Sequence, residues 1–480
     1  MQTIIDYVEH ELRPFSAYPL NPVDSLVLSE LSYLCIGEAF PETSSRDSRV
    51  TLRDLFVREK IPVLFDSLLS TAHPDALLAG VASSPRFRDV RVTRYVNEVE
   101  EQREKQFSAV TFLLPGGASY IAYRGTDSSL VGWKENFNMA FMAPVPAQSA
   151  ACRYIEHAMA DLEGPVYAGG HSKGGNLAVY AAASCGSRLQ DRIACAFNHD
   201  GPGFNEELFD SPGFVRVERR LNKTVPQESL IGMLLETHED YSVVASSGKG
   251  LLQHDPFTWE VLVEKGDFRY VEHIERGATT TNEVLNDWIS SMNARQREAF
   301  VDALYRVIKS SGYERITDIP DASAQQIIRQ LAGLQATDPE TFVIVRDTLA
   351  ALADYSLHAT MPIADNLPRP LRFLLQLYTE QKMLSNVSSS LHSSKSQGPA
   401  AQKGASVQTP GQGDGRGGDV RGLVSSDAAD RNAHRQVQPM PSFWEWASQF
   451  GRKDASGAGT GGQGETRERW RPPGDEHEDE

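Results

Sequence analysis

The segment Gly170-His171-Ser172-Lys173-Gly174-Gly175 constrains the fold more than any other part of the chain. The run before it, Pro165-Val166-Tyr167-Ala168-Gly169, predicts a short buried strand. The Ala-rich run after it, Asn176 to Ala183, predicts a helix. A serine caught between strand and helix has a strained backbone, and neighbouring chain segments pass close to it. Gly170 and Gly174 remove the Cβ atoms that would clash there, and Gly175 lets the helix lie against the strand. The serine hydroxyl is thereby lifted clear at a helix N-terminus, whose dipole favours a developing negative charge.

The surrounding pattern extends this unit into a sheet. Phe107 to Pro115 reads as a strand, Gly116-Gly117 as a turn and Tyr120 to Tyr123 as the partner strand. Gln148 to Leu162 has helical periodicity. Ile193 to Phe197 and Tyr241 to Ala245 read as further strands, and Arg216 to Leu221 as another. Strands alternating with helices predict an α/β protein with a mostly parallel sheet covered on both faces, here the α/β-hydrolase fold. The expected division is an α/β-hydrolase domain over 1–275, a helical extension over 276–384 and a disordered low-complexity tail over 385–480. In the extension, Asn282 to Ser311, Ser323 to Leu334, Pro339 to Tyr355 and Leu367 to Leu384 read as amphipathic helices.

Composition narrows the partners. The net charge of -17 on 480 residues argues against nucleic acid and against broad adhesion to an anionic membrane. Cys35, Cys152, Cys185 and Cys195 are scattered without metal-ligand spacing, so buried free thiols are expected, with no metal and no cofactor. Neither a secretion signal nor an integral membrane span is evident, which makes a cytoplasmic protein the expectation. The tail is too polar to offset its ordering entropy, except for Phe443-Trp444-Glu445-Trp446-Ala447-Ser448-Gln449-Phe450. That island at 443–450 is a candidate docking peptide for a protein partner, or a remnant without one.

With Ser172 as candidate nucleophile, acyl transfer needs two oxyanion donors, a base and an acid. One donor is the backbone N–H after the nucleophile, on Lys173. The other belongs on a loop closing an earlier strand, where Tyr123-Arg124-Gly125-Thr126-Asp127 offers Thr126. The Lys173 side chain either holds an acidic substrate group or pairs with Asp127 or Glu135. Trp133, Phe137, Met139 and Met142 are candidates for an acyl pocket or lid, or else helix core. The chain order serine, acid, histidine leaves His199, His238, His254 and His273 of the 12 histidines as bases. His254 follows a late strand and the flexible run Ser246 to Gly250, where the base belongs; His238 is the alternative.

Tyr-Arg-Gly-Thr-Asp followed by Gly-His-Ser-Lys-Gly-Gly is similar to the lipase class that contains fungal triacylglycerol lipases. The chain more closely resembles the Mbeg1-like family, bacterial α/β-hydrolase-like proteins without a settled activity. That likeness is carried by Asp24 to Ser29, Gln106 to Val110, Leu130 to Asn136, Asp200 to Phe204 and Gln253 to Pro256, and it spans about residues 1–275. It implies the hydrolase fold and also favours His254. In the resembling lipases the acid opens an Asp-x-Val-Pro segment. Here Lys223-Thr224-Val225-Pro226 puts a lysine in its place, so the acid must come from elsewhere. Asp200, at the end of a strand, and Glu228, just past Pro226, are the candidates. Two functions follow. One is a serine hydrolase acting on carboxylic esters, with a small-molecule or lipid ester as substrate. The other is a non-catalytic scaffold of the same fold that docks a partner.

Overall fold

A computed structural model describes residues 1–358 apart from 67, 69–72, 140–141, 316–333 and 335–336. The expected helices over 323–334 and 367–384, the tail and its aromatic island lie wholly or almost wholly outside the described residues.

Among the described residues the centre is an eight-stranded sheet, in the order β1-β2-β3-β4-β5-β6-β7-β10. Its strands are β1 (Arg91–Glu100), β2 (Lys105–Leu113), β3 (Ser119–Tyr123), β4 (Val166–His171), β5 (Ile193–His199), β6 (Leu221–Pro226), β7 (Tyr241–Val244) and β10 (Tyr270–Val271). A separate pair, β8 (Val261–Leu262) and β9 (Asp267–Phe268), makes a small hairpin. The run from β3 to β7 is parallel throughout, whereas β1, β2 and β10 join antiparallel at the two edges. Strands β2 to β5 are buried along nearly their whole length, as strands covered on both faces must be.

Helices supply the cover. The longer ones are α1 (Ile4–His10), α2 (Pro22–Leu31), α3 (Pro74–Ser83), α4 (Leu130–Asn138), α5 (Pro146–Met159), α6 (Lys173–Ser184), α7 (Pro212–Val217), α8 (Arg276–Ser291), α9 (Ala294–Ser310) and α10 (Pro339–His358). Helix α2 lies on β3 and β4 within one apolar core, while α5 and α6 close a second core on the opposite face. Helix α2 also carries polar groups inward. The Ser25 and Ser29 hydroxyls meet the Tyr120 hydroxyl at 2.8 Å each, and Asp24 forms a fully buried ion pair with Arg86 at 2.5 Å. These contacts give the Asp24-to-Ser29 segment its structural role.

Two expectations are corrected. Arg216 to Leu221 is not a strand. It runs from α7 through a 3-10 turn, and the strand begins only at Leu221. Asn282 to Ser311 is not one helix, because α8 ends at Ser291 and α9 starts afresh at Ala294. Asn293 stops the first from continuing: its side chain accepts from Gln296 N and the Gln296 side chain caps it in return. The hydroxyl- and amide-bearing caps of this chain outweigh continuous apolar periodicity.

The apolar faces of α8, α9 and α10 form a third core together with Leu130 of α4. Trp133 and Phe137 pack against that core, and Met139 belongs to the core under α5 and α6, so all three are helix core. Met142 stays exposed. The four cysteines form no disulfide; Cys35, Cys185 and Cys195 are buried, and Cys152 is half-buried.

Candidate active site

The parallel strands direct their carboxyl ends to one edge, where three loops converge. The first follows β4. Ser172 has φ 57° and ψ −132°, the strained backbone expected at a strand–helix elbow. A Cβ on Gly174 would overlap the Tyr123 carbonyl, and one on Gly170 would come within 2.5 Å of the same oxygen. A Cβ on Gly175 would strike the Asn198 side chain of β5. The elbow is thus wedged between β3 and β5, and Ser172 N donates to His199 O at 2.9 Å.

The second loop follows β3. Gly125 sits so close to the elbow that an added Cβ would meet His171 O at 2.8 Å. Asp127 accepts from the N–H and hydroxyl of Ser129, at 2.9 and 2.5 Å, and so organises the start of α4. Asn136 of α4 donates to Thr126 Oγ1 at 2.5 Å. The N–H groups of Thr126 and Lys173 find no acceptor among the described residues. For Lys173 this follows from its place at the first position of α6, where no intrahelical partner exists.

The Lys173 side chain turns away into the protein. Its Nζ donates to Gln106 O at 2.8 Å, to Gln106 Oε1 at 2.5 Å and to Glu135 Oε2 at 3.0 Å, with both charged side chains fully buried. Glu135 accepts in addition from Gln106 N and Ala147 N. Of the partners considered for Lys173, Glu135 is the one realised, and Asp127 instead pairs with Arg124.

The third group of loops brings histidine and carboxylate together. His254 Nδ1 lies 2.6 Å from Asp200 Oδ2, and only 1% of the Asp200 side chain is exposed. Asp200 has φ 52°, a left-handed turn immediately after β5. Its other oxygen accepts from Ser229 Oγ at 2.5 Å and from Gly232 N at 3.2 Å. With Oδ1 taken up by Ser229 and Gly232, Oδ2 faces Nδ1 and accepts from it, which favours the Nδ1–H tautomer of the neutral imidazole, with Nε2 as the acceptor. Asp255 is the turn residue expected, accepting from Phe257 N.

Glu228 lies near but serves the loop. Its carboxylate accepts from Gly250 N at 2.5 Å, and its N–H donates to Gln253 Oε1 at 2.9 Å. It therefore fixes both ends of the segment that carries His254. His238 stacks on Phe209 at 4.1 Å between ring centres and is largely exposed. His273 is exposed beside Glu272. His199 is buried between Ser25 Oγ and Thr224 Oγ1, and burial pushes it down to about 3, so it is a neutral structural group. Lys223 forms a buried ion pair with Glu239 at 3.1 Å, so the position of the lipase acid is occupied by internal structure.

One contact of the elbow has no signal in the sequence. His171, inside the elbow, sets its Nε2 2.9 Å from His254 O, and the two rings lie 4.6 Å apart. Burial first, then His254 and His199, hold the His171 ring well below the usual histidine range. A neutral ring with Nε2–H donated to a carbonyl has Nδ1 free to accept, and Tyr33 Oη stands 3.1 Å from it. Glu30 is 3.4 Å from that same nitrogen, with its carboxyl raised by burial and by Asp255. No spacing rule connects Tyr33 and Glu30 to an elbow some 140 residues later.

Ser172 Oγ makes no hydrogen bond among the described residues, and Ser172 is 8% exposed. No cluster of three His, Cys, Asp or Glu residues suits a metal ion among the described residues. No described helix is long and apolar enough to cross a membrane.

Residues 81–306 match the model of the Mbeg1-like family. The match includes the elbow, both candidate oxyanion donors and the Asp200–His254 pair, and it runs on through α8 into α9. No curated protein matches the chain. Among solved structures it is similar to M37 lipase, at 12% identity and TM-score 0.25, over 44% of this chain and 68% of that one. It is similar to the lipase of Rhizomucor miehei in its propeptide complex, at 13% identity and TM-score 0.25, with the same coverage. The extracellular lipase LipA of Serratia marcescens shares 15% identity at TM-score 0.24, over 44% of this chain and 40% of its own.

Proposed function

We propose that the chain is a serine hydrolase of carboxylic esters. Ser172 is the nucleophile, His254 the base and Asp200 the acid. The N–H groups of Lys173 and Thr126 bind the oxyanion. The observation that carries this reading is the 2.6 Å contact between His254 Nδ1 and a buried Asp200, at the sheet edge where Ser172 occupies a strained elbow.

The chemistry follows from the tautomer. Asp200 holds His254 with Nδ1–H toward itself, so Nε2 can take the proton of Ser172 Oγ as that oxygen attacks the ester carbonyl. Negative charge then develops on the carbonyl oxygen. Two N–H groups without acceptors, one at the N-terminus of a 12-residue helix, are suited to receive it. The imidazolium, stabilised by Asp200, returns its proton to the departing alcohol. Water, activated by the same nitrogen, hydrolyses the acyl-enzyme and restores Ser172. A small-molecule or lipid ester is the substrate class, and the reaction calls on neither metal nor cofactor.

The scaffold reading retains one specific observation in its favour: a nearly enclosed Ser172 without a hydrogen bond to His254. Apo sites often tighten only on binding substrate, so one experiment separates the two. Wild type is expected to react with a fluorophosphonate probe, one adduct per chain at Ser172, and to cleave a short-chain nitrophenyl ester. Ser172→Ala is expected to do neither. If wild type stays unlabelled, or Ser172→Ala labels equally, the enzyme reading is wrong.

A further inference from the structure

The acid of the proposed site is held from outside the sheet. Ser229 and Gly232, both in the loop after β6, supply the donors to Asp200 Oδ1. Gly232 has to be a glycine, because a Cβ there would overlap that carboxylate oxygen. The loop itself hangs on α8. Asn282 Nδ2 donates to Ser229 O at 2.8 Å, in the buried interior. Four residues on, Asn286 Nδ2 donates to Met233 O at 3.0 Å while its Oδ1 accepts from Leu235 N at 3.0 Å. Residues four apart share one helix face, so both amides address the same loop from the same side. At the base of the helix, Glu275 N donates to Gln227 O at 2.7 Å.

The Asn282 amide carries a cost. It is 6% exposed, and its Oδ1 is buried without a partner. An apolar residue would avoid that unpaired acceptor but would leave the buried Ser229 O without its donor. Helix α8 in turn is fixed by the third core, through Val284, Leu285 and Trp288. A continuous path thus runs from that core through Asn282 and Ser229 to Asp200 and His254.

We propose that Asn282 and Asn286 are positioning residues for the Asp200–His254 pair, so that the helical extension is part of the catalytic unit. The inference rests on the hydrolase reading for its kinetic consequence, but not for its structural one. Neither amide touches substrate. They act by fixing where Ser229 Oγ and Gly232 N point.

The test uses the full chain and two readouts. The first needs no activity: the proton shared by His254 Nδ1 and Asp200 Oδ2 gives a downfield proton resonance, assigned by its loss in His254→Gln. Asn282→Asp keeps the side-chain shape and removes the donor. It is expected to broaden that resonance or move it upfield, and Asn286→Leu to do so less. The second is nitrophenyl ester turnover, where Asn282→Asp is expected to lower kcat about tenfold with KM within about twofold of wild type. Should Asn282→Asp misfold, Ser229→Ala, which removes the next link, must produce the same resonance shift and the same kcat loss. An unchanged resonance in folded Asn282→Asp or Ser229→Ala overturns the proposal. Wild type without turnover but with a resonance sensitive to Asn282 overturns the hydrolase reading alone.

Discussion

Two segments meet at the carboxyl edge of the sheet, the elbow over residues 170–175 and the Asp200–His254 corner. The elbow is held by what it lacks. Gly170, Gly174 and Gly175 each leave room where a Cβ would collide with β3, β5 or the elbow's own helix, and Ser172 is strained because nothing else fits. The second corner is held by what it adds: Ser229, Gly232 and Asp200 joined by hydrogen bonds, Glu228 pinning the histidine loop, and α8 behind them all. Steric exclusion is written locally in a chain, whereas a hydrogen-bond network is assembled from residues far apart in it. Each corner should therefore fail in its own way.

The sharpest break of the comparison is at the second corner. Asp200→Asn preserves volume but loses the fixed negative charge and the tautomer it dictates on His254. The expected result is a fall in kcat by about four powers of ten, with fluorophosphonate labelling slowed in parallel and the melting temperature little changed. Loss of less than about tenfold would remove Asp200 from the triad.

The next largest effect belongs beneath the elbow. Lys173 and Glu135 are a fully buried pair with three further hydrogen bonds shared between them and Gln106. Lys173→Met leaves the Glu135 charge buried and unpaired, which costs about 3–5 kcal/mol of stability. Urea unfolding should show this as a lower midpoint at unchanged slope. If the midpoint does not move, the pair contributes nothing to holding the elbow, and steric exclusion alone maintains it.

The same contrast explains how much the sequence disclosed. The strand–elbow–helix unit was readable because glycine spacing and an Ala-rich helix are local signals, and the Tyr120–Tyr123 strand located Thr126 in the same way. Chain order leaves four histidines, and the late loop after Ser246 to Gly250, with the family resemblance, favours His254 over the alternative His238. The acid stayed divided between Asp200 and Glu228, because both stand at strand ends of the right edge and only tertiary contacts separate them. One accepts from Ser229 and faces His254; the other accepts from Gly250. The break at Asn293 and the helix before β6 were missed because apolar periodicity runs through both. Tyr33, Glu30 and Asn282 gave no sequence signal, since a residue that supports another across the fold carries no motif of its own.

Acid should loosen the boundary between the corners. His199 spans it, bonded to Ser25 and Thr224 at the end of β5, and burial holds it at about 3. Unfolded, it titrates near about 6.5. Between those values the unfolded chain binds the extra proton. The stabilising contribution is therefore whole above about 6.5 and is lost as pH falls toward about 3. His171, also held low, acts with the same sign. Glu30 acts with the opposite sign: its raised carboxyl contributes below the ordinary carboxylate range and loses that contribution as pH rises. The histidine part is isolated by comparing wild type with His199→Gln. The wild-type stability curve should be steeper between pH 6 and pH 4 by about 1.4 kcal/mol per pH unit. Parallel curves would mean that His199 is charged in the folded protein.

The smallest expected effect is the most informative about the acid. Glu228→Gln keeps an oxygen that can accept from Gly250 N, so the anchor of the histidine loop survives with a neutral acceptor. A charge-assisted bond becomes an ordinary one, a loss of about 1 kcal/mol, which corresponds to less than about tenfold in kcat. Glu228→Ala removes the acceptor altogether, leaves Gly250 N unpaired, and should cost more through a mobile His254 loop. A residue that acted as the acid would show the reverse order of sensitivity. Its charge would matter most, so Gln would be nearly as damaging as Ala. The ratio of the two variants thus distinguishes a loop anchor from a triad member without reference to the absolute rate. If Gln and Ala are equally severe, the division between the corners fails, and Glu228 shares the role given to Asp200.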